Sequence, residues 1–160
     1  PQPIYDELAL QDGIHLPRVE TRQQEGQRQV NQAMREAAET LDAEWTVREA
    51  LQRAERSEFL AWPVCDSSGV IGVLSFARLR QARNEGSLDK PLVELVDARD
   101  FPHVHVDHPL HVALERMGTS RLDLLPVVSR GNVHQLRGVV TRADVLAQFG
   151  VEAGNDEMTK

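Results

Sequence analysis

The chain repeats itself, and that repeat constrains the fold more than any other feature of the sequence. Val47 and Leu110, Ala50 and Ala113, Leu51 and Leu114, and Pro63 and Pro126 each stand 63 residues apart, whereas Gly72 and Gly138, and Ser75 and Thr141, stand 66 apart. The register holds through a helix and a strand and then slips by three residues, a slip expected in the hairpin turn of the second copy, where insertions are tolerated. A copy of about 50 residues is marginal as an independent unit. Two copies sharing an interface are therefore expected, with two small sheets packed about a pseudo-twofold axis.

Each copy reads helix, strand, strand, helix. In the first, Val47, Ala50, Leu51 and Ala54 fall on one face of a helix over 47–56, with Thr46 and Glu49 spaced as a capping box. Apolar runs at 59–65 and 70–75 flank the turn Asp66-Ser67-Ser68-Gly69, and Phe76, Leu79 and Ala82 return to helical spacing, ending near Gly86. In the second, His108-Pro109 opens a helix carrying Leu110, Ala113, Leu114 and Met117. Strands at 124–128 and 136–140 surround Gly131-Asn132, and a helix follows over 143–149. The fold class is α/β. Residues 1–29, with their polar run at 20–29, have the composition of a linker. Residues 30–95 form the first repeat, 96–150 the second and 151–160 a tail.

The motifs Trp62-Pro63-Val64 with Gly72-Val73-Leu74-Ser75, and Leu125-Pro126-Val127 with Gly138-Val139-Val140-Thr141, resemble the strand signatures of a tandem CBS domain pair. The resemblance spans residues 30–150. It implies a non-catalytic regulatory module that reads an adenine nucleotide (ATP, ADP or AMP) and forms a homodimer. Ile4-Tyr5-Asp6-Glu7-Leu8 and Leu10-Gln11-Asp12-Gly13-Ile14-His15-Leu16-Pro17 resemble the segment joining the last membrane helix to the CBS pair in ClC-type chloride channels and transporters. That implies an integral membrane parent, with this pair at the cytoplasmic face and the membrane domain as its partner. A start at Pro1 fits an excised piece of such a chain. The rival readings are a dimerisation module that binds nothing and a regulatory pair of a soluble enzyme.

A nucleotide needs an apolar slot for its base, a carboxylate for ribose hydroxyls, and N–H or cationic groups for phosphate. Thr141 is placed to cap the closing helix, leaving its hydroxyl and the free helix N–H groups to meet an anion. Asp144, one turn in, can accept from two vicinal hydroxyls, which matches the ribose pattern of CBS sites, and Arg142 can add positive charge. The plain alternative is that Thr141 is only a cap and Asp144 only a first-turn carboxylate favoured by the helix dipole. The resemblance puts Phe59, followed by Leu60, in the base slot offered by the opposite copy. Ala38 and Thr40 of an early strand line the wall, and Pro126 joins them from its strand. In the first copy Arg78 stands where Asp144 stands in the second, and a guanidinium cannot accept from a hydroxyl. Leu122 and Asp123 replace the Phe59-Leu60 pair. The two clefts should be unequal, with one nucleotide per chain at most and the other cleft empty or holding an anion.

A net charge of −7 and few aromatics disfavour nucleic-acid binding. No apolar run approaches the ~18–20 residues that cross a bilayer, and no signal peptide opens the chain. His103, His105, His108 and His111 crowd together without a Cys partner and are read as partly exposed groups at a sheet edge, responsive to pH, rather than as zinc ligands. Cys65, the sole cysteine, cannot form an internal disulfide and is read as a buried inert thiol. No hydrolase-type elbow is present.

Overall fold

The structure, a computed structural model, describes residues 28–150. The first sheet has β1 (Leu41–Asp42) parallel to β2 (Ala61–Asp66), which is antiparallel to β3 (Gly69–Ser75); α1 (Val47–Ala54) precedes the hairpin and α2 (Phe76–Asn84) follows it. The second sheet repeats this with β4 (Val104–His105), α3 (Leu110–Ser120), β5 (Leu124–Ser129), β6 (Asn132–Thr141) and α4 (Arg142–Gln148). The expected order therefore holds in both copies. Thr46 and Glu49 form the capping box at α1, and Val47, Ala50, Leu51 and Ala54 are its buried face. Pro63 and Pro126 sit in central strands, where a missing N–H is normally costly. Pairing to the two-residue edge strands begins one residue later, at Val64 and Val127, so those ladders ask no N–H of either proline.

The sheets meet through equivalent strands, with β2 and β3 facing β5 and β6. Each repeat also lends its leading segment to the other. Residues 28–35 join the second sheet: Val30 donates its N–H to the His108 carbonyl at 2.9 Å, and Arg35 and Val139 exchange both backbone hydrogen bonds at 2.8 and 2.9 Å. Residues 88–95, given to the first repeat by the sequence division but carrying Leu92 as the second copy's counterpart of Val30, return the exchange, with Val47 N–H donating to Lys90 at 3.0 Å and Leu92 N–H to Trp45 at 2.8 Å. A short 3-10 turn anchors each segment, Val30–Gln32 and Leu92–Leu95, through a fully buried residue, Val30 or Leu92. Burial of each such side chain contributes roughly 1.5–3 kcal/mol. The repeat boundary in space thus departs from chain order.

The exchange gives the Gly-hydrophobic-hydrophobic-Ser/Thr motif a physical reason. A Cβ on Gly138 would stand 2.5 Å from the Arg35 carbonyl oxygen, and one on Gly72 would stand 2.6 Å from the Val96 side chain. Both glycines are where the exchanged segment crosses the sheet.

Several expectations are corrected. The three extra residues are not in the hairpin turn: Asp66 pairs with Gly69 and Ser129 with Asn132, so both turns have equal length. Val133, His134 and Gln135 instead form a bulge in β6, where the Val128–Leu136 pair gives way to Ser129–Asn132. His134 then reaches the first hairpin, its Nδ1 lying 2.8 Å from the Val70 carbonyl oxygen. α1 stops at Ala54, and β2 starts at Ala61, leaving Phe59 and Leu60 in a loop where the Phe59 N–H donates to Ser57 Oγ at 3.0 Å. Ala38 and Thr40 precede β1 and are not part of a strand.

Candidate functional site

The loop carrying Phe59 and Leu60 faces the start of α4 across the interface between the repeats. Between them lies a cleft of about 510 Å³, lined by Glu58, Phe59 and Leu60 of the first repeat, Leu124, Thr141, Arg142 and Leu146 of the second, and Arg35 of the exchanged segment. Phe59 is half-buried and packs against both hydrophobic cores, and Leu60 is 61% exposed. Together they form an apolar ledge open on one side.

Opposite the ledge, Thr141 caps α4: its Oγ1 accepts the Asp144 N–H at 3.1 Å. The Arg142 N–H donates to the Asp123 carbonyl at 2.9 Å. Two of the helix N–H groups expected to face an anion are therefore satisfied within the protein. The Asp144 carboxylate is held by Arg35, whose Nη2 and Nε donate at 2.6 and 2.9 Å. Burial works to raise the Asp144 pKa, but the hydrogen bonds from Arg35 and Thr141 and the Arg35 charge outweigh it, and the carboxyl sits below its ordinary value. Hydrogen bonding to Asp144 and its charge raise Arg35 in turn.

The structure thus brings Phe59, Leu60, Thr141 and Arg142 to one cleft, with Asp144 joined to it through Arg35. Ala38, Thr40 and Pro126 do not line it. Arg35 was missed by sequence reasoning because it lies in a segment without periodicity and meets a partner 109 residues away. The 63-residue register does not signal it, since that spacing pairs Arg35 with Ala98. With Val30 matched in space to Leu92, a spacing of 62, Arg35 corresponds to Asp97 just as Asp144 corresponds to Arg78. The ion pair of the second repeat has a charge-inverted counterpart in the first.

That counterpart pair is not closed. Ser75 caps α2 as Thr141 caps α4, accepting the Arg78 N–H at 3.0 Å. The Arg78 Nη1, however, is buried with no hydrogen-bond partner among the described residues. Asp97 instead faces Arg99, at 3.6 Å from its Nε.

Other singled-out residues lie elsewhere. Cys65 is half-buried rather than buried, and burial, reinforced by Asp66 and Asp42, pushes its thiol up to about 11, so it stays protonated near neutrality. His103, His105 and His108 border a separate cleft, and His111 is exposed on α3. Among the described residues no helix is long and apolar enough to cross a membrane.

A family model for the CBS domain matches the chain twice, over residues 29–85 and 93–150. No curated protein matches it. Solved structures share the fold at low identity. One is the CBS domain pair of protein MJ0100 in complex with 5-methylthioadenosine and S-adenosyl-L-methionine (TM-score 0.64, 20% identity, 77% of this chain and 100% of that one). Another is Hypoxic Response Protein I with two coordinated zinc ions (0.63, 20%, 75% and 98%). A third is protein MJ1225 of Methanocaldococcus jannaschii, described as a candidate archaeal homolog of g-AMPK (0.62, 17%, 78% and 48%).

Proposed function

As the chain belongs to the CBS domain family, we propose that it is a regulatory module holding one adenosine compound per chain in the cleft between Phe59 and α4. The observation that carries this reading is the meeting of an apolar ledge from one repeat with a hydroxyl and a carboxylate from the other. Adenine stacks against Phe59 and Leu60. The ribose hydroxyls donate to Asp144, whose oxygens offer about four acceptor positions, two of them used by Arg35. Thr141 brings its hydroxyl beside that carboxylate, and Arg142 faces the 5′ substituent. The adenosine ligands of the MJ0100 pair support the ligand class.

Charge narrows that class. Arg35 and Arg142 are outnumbered around the cleft by Glu58, Asp123 and Asp144. An excess of carboxylate disfavours a run of phosphates, so adenosine and AMP rank ahead of ADP and ATP. Because the ligand touches both repeats, it regulates only through different affinities for two arrangements of them. A homodimer of pairs would transmit that preference to the parent protein.

For the parent, the resemblance of residues 4–17 to ClC-type proteins supports a chloride channel or transporter with this pair at its cytoplasmic face; those residues lie outside the described ones. A CBS pair of a soluble protein is supported equally by the solved relatives. The unpartnered Arg78 favours a second reading, a dimerisation module that binds nothing.

Calorimetry with adenosine, AMP, ADP and ATP at matched ionic strength tests the reading. Saturable binding in the order AMP or adenosine before ATP is expected. ATP binding tightest would contradict the charge argument. No heat from any of them, with an unchanged melting temperature, would leave the dimerisation module.

A further inference from the structure

We propose that a second cleft, walled by His103, His105, His108, Arg116 and Arg130, is a binding site for a small tetrahedral oxyanion of the sulfate or phosphate class, and that it takes up protons together with its ligand. This cleft, of about 460 Å³, is floored by Phe101 and Pro102. It is separate from the first. β5 runs from Leu124 at the Phe59 cleft to Val128, which pairs with His105, and Arg130 follows just beyond. At ~3.3 Å per residue the two clefts are about 15 Å apart.

The side chains form a donor-rich wall. Phe101, His103, His105 and His108 follow one another as tilted and edge-on rings, with successive ring centroids 5.2, 5.2 and 5.0 Å apart. His103 Nδ1 lies 2.7 Å from the Phe101 carbonyl oxygen and His105 Nδ1 lies 3.3 Å from that of Val128, so each carries its proton there and has a bare Nε2 when neutral. His108 is the reverse: its Nδ1 accepts the His105 N–H at 3.0 Å, so its proton is on Nε2. Arg116 is fixed by donating Nη1 to the His103 carbonyl at 2.9 Å, and Arg130 is held by Asp107 at 2.6 Å; both guanidinium groups retain further N–H donors.

Among the described residues no carboxylate lines this cleft. The charged groups around it are Arg116 from α3, Arg130 from the β5–β6 turn, and Asp107, which neutralises part of Arg130. Glu115 and Asp100 border the neighbouring groove that shares Arg116, and His134 stands behind Phe101 with ring centroids 6.1 Å apart. Burial first, and then the positive charge of Arg116 and Arg130, lower His105 and bring His108 to about 4. In the empty protein these rings are therefore neutral near pH 7. An oxyanion cancels the guanidinium charge, favours the imidazolium form of His105 and gains its Nε2–H as a donor, while His108 already presents its Nε2–H. A metal cation would meet two guanidinium groups, and no cluster of metal-ligand side chains is present among the described residues.

The experiment is a titration of the full chain with inorganic sulfate, whose charge is constant over the range, following histidine ring signals by NMR near pH 6 and near pH 8 at matched chloride. Saturable shifts of the His105 and His108 signals are expected, with affinity about tenfold tighter at the lower pH and an upward-moved titration of His105. R116Q should weaken binding about tenfold, and H105Q should reduce the pH dependence, each with its melting temperature checked. The proposal is overturned by an absence of saturable shifts, by equal shifts with chloride alone, or by an R116Q protein that folds and binds as the parent does. Tighter binding of zinc chloride to the same rings would also overturn it.

Discussion

The two repeats share a scaffold and differ at the cleft. Both place a hydroxyl residue, Ser75 or Thr141, at the cap of the closing helix, both donate the next N–H to the residue just before their own hairpin, Leu60 or Asp123, and both bring a glycine under an exchanged segment. Yet the second repeat closes an Arg35–Asp144 ion pair beside an apolar ledge, whereas the first has Arg78 with a buried, unpartnered nitrogen and Asp97 turned to Arg99. The residues that packing requires recur in both copies, whereas the charged residues at the closing helix do not. Chemistry is therefore expected on one side.

That comparison can be broken at its shared part first. G138A drives a methyl group into the Arg35 backbone carbonyl, and G72A drives one into Cβ and Cγ1 of Val96, the stiff root of a β-branched side chain. Chemical denaturation should show both destabilised by about 1–3 kcal/mol, the range for overpacked interiors. A near-neutral G138A would mean that Arg35 is not fixed by its backbone. The caps come next: S75A and T141A should each cost about 1 kcal/mol of stability, but only T141A should also weaken adenosine binding. If S75A weakens binding as much, the clefts are functionally alike.

The smallest effect belongs to the far end of the second sheet. His108 titrates at about 4 in the folded chain, below the ordinary value of about 6.5. The unfolded chain therefore binds more protons between those values, and the contribution is present above pH ~6.5 and lost as pH falls toward ~4. Melting temperature should fall with acid over that window, and H108Q should flatten part of the slope. An unchanged slope would show that this ring does not couple to folding.

Much of this was legible without coordinates. The 63-residue register fixed which residues correspond, the Thr46–Glu49 spacing announced a capping box that forms, and the apolar positions of α1 and α3 predicted their buried faces. What escaped depended on distant partners. Nothing local to residues 28–35 says that they leave their own repeat, so Arg35 was invisible, and Ala38 and Thr40 were given a place at the wall that they do not take. The three extra residues were assigned to a turn because turns absorb insertions most cheaply. In the fold a bulge accommodates them, and His134 finds a carbonyl acceptor on the other hairpin. The spacing of His103 and His105 showed a shared face, but Arg116 and Arg130, which give that face its charge, come from α3 and from beyond β5.

The most direct test of the asymmetry is AMP calorimetry on three proteins: the parent chain, D144A and R78A. The account predicts one saturable site per chain in the parent, binding lost or weakened more than tenfold in D144A, and parent-like binding in R78A. Parent-like binding in D144A, or its loss in R78A, would contradict it.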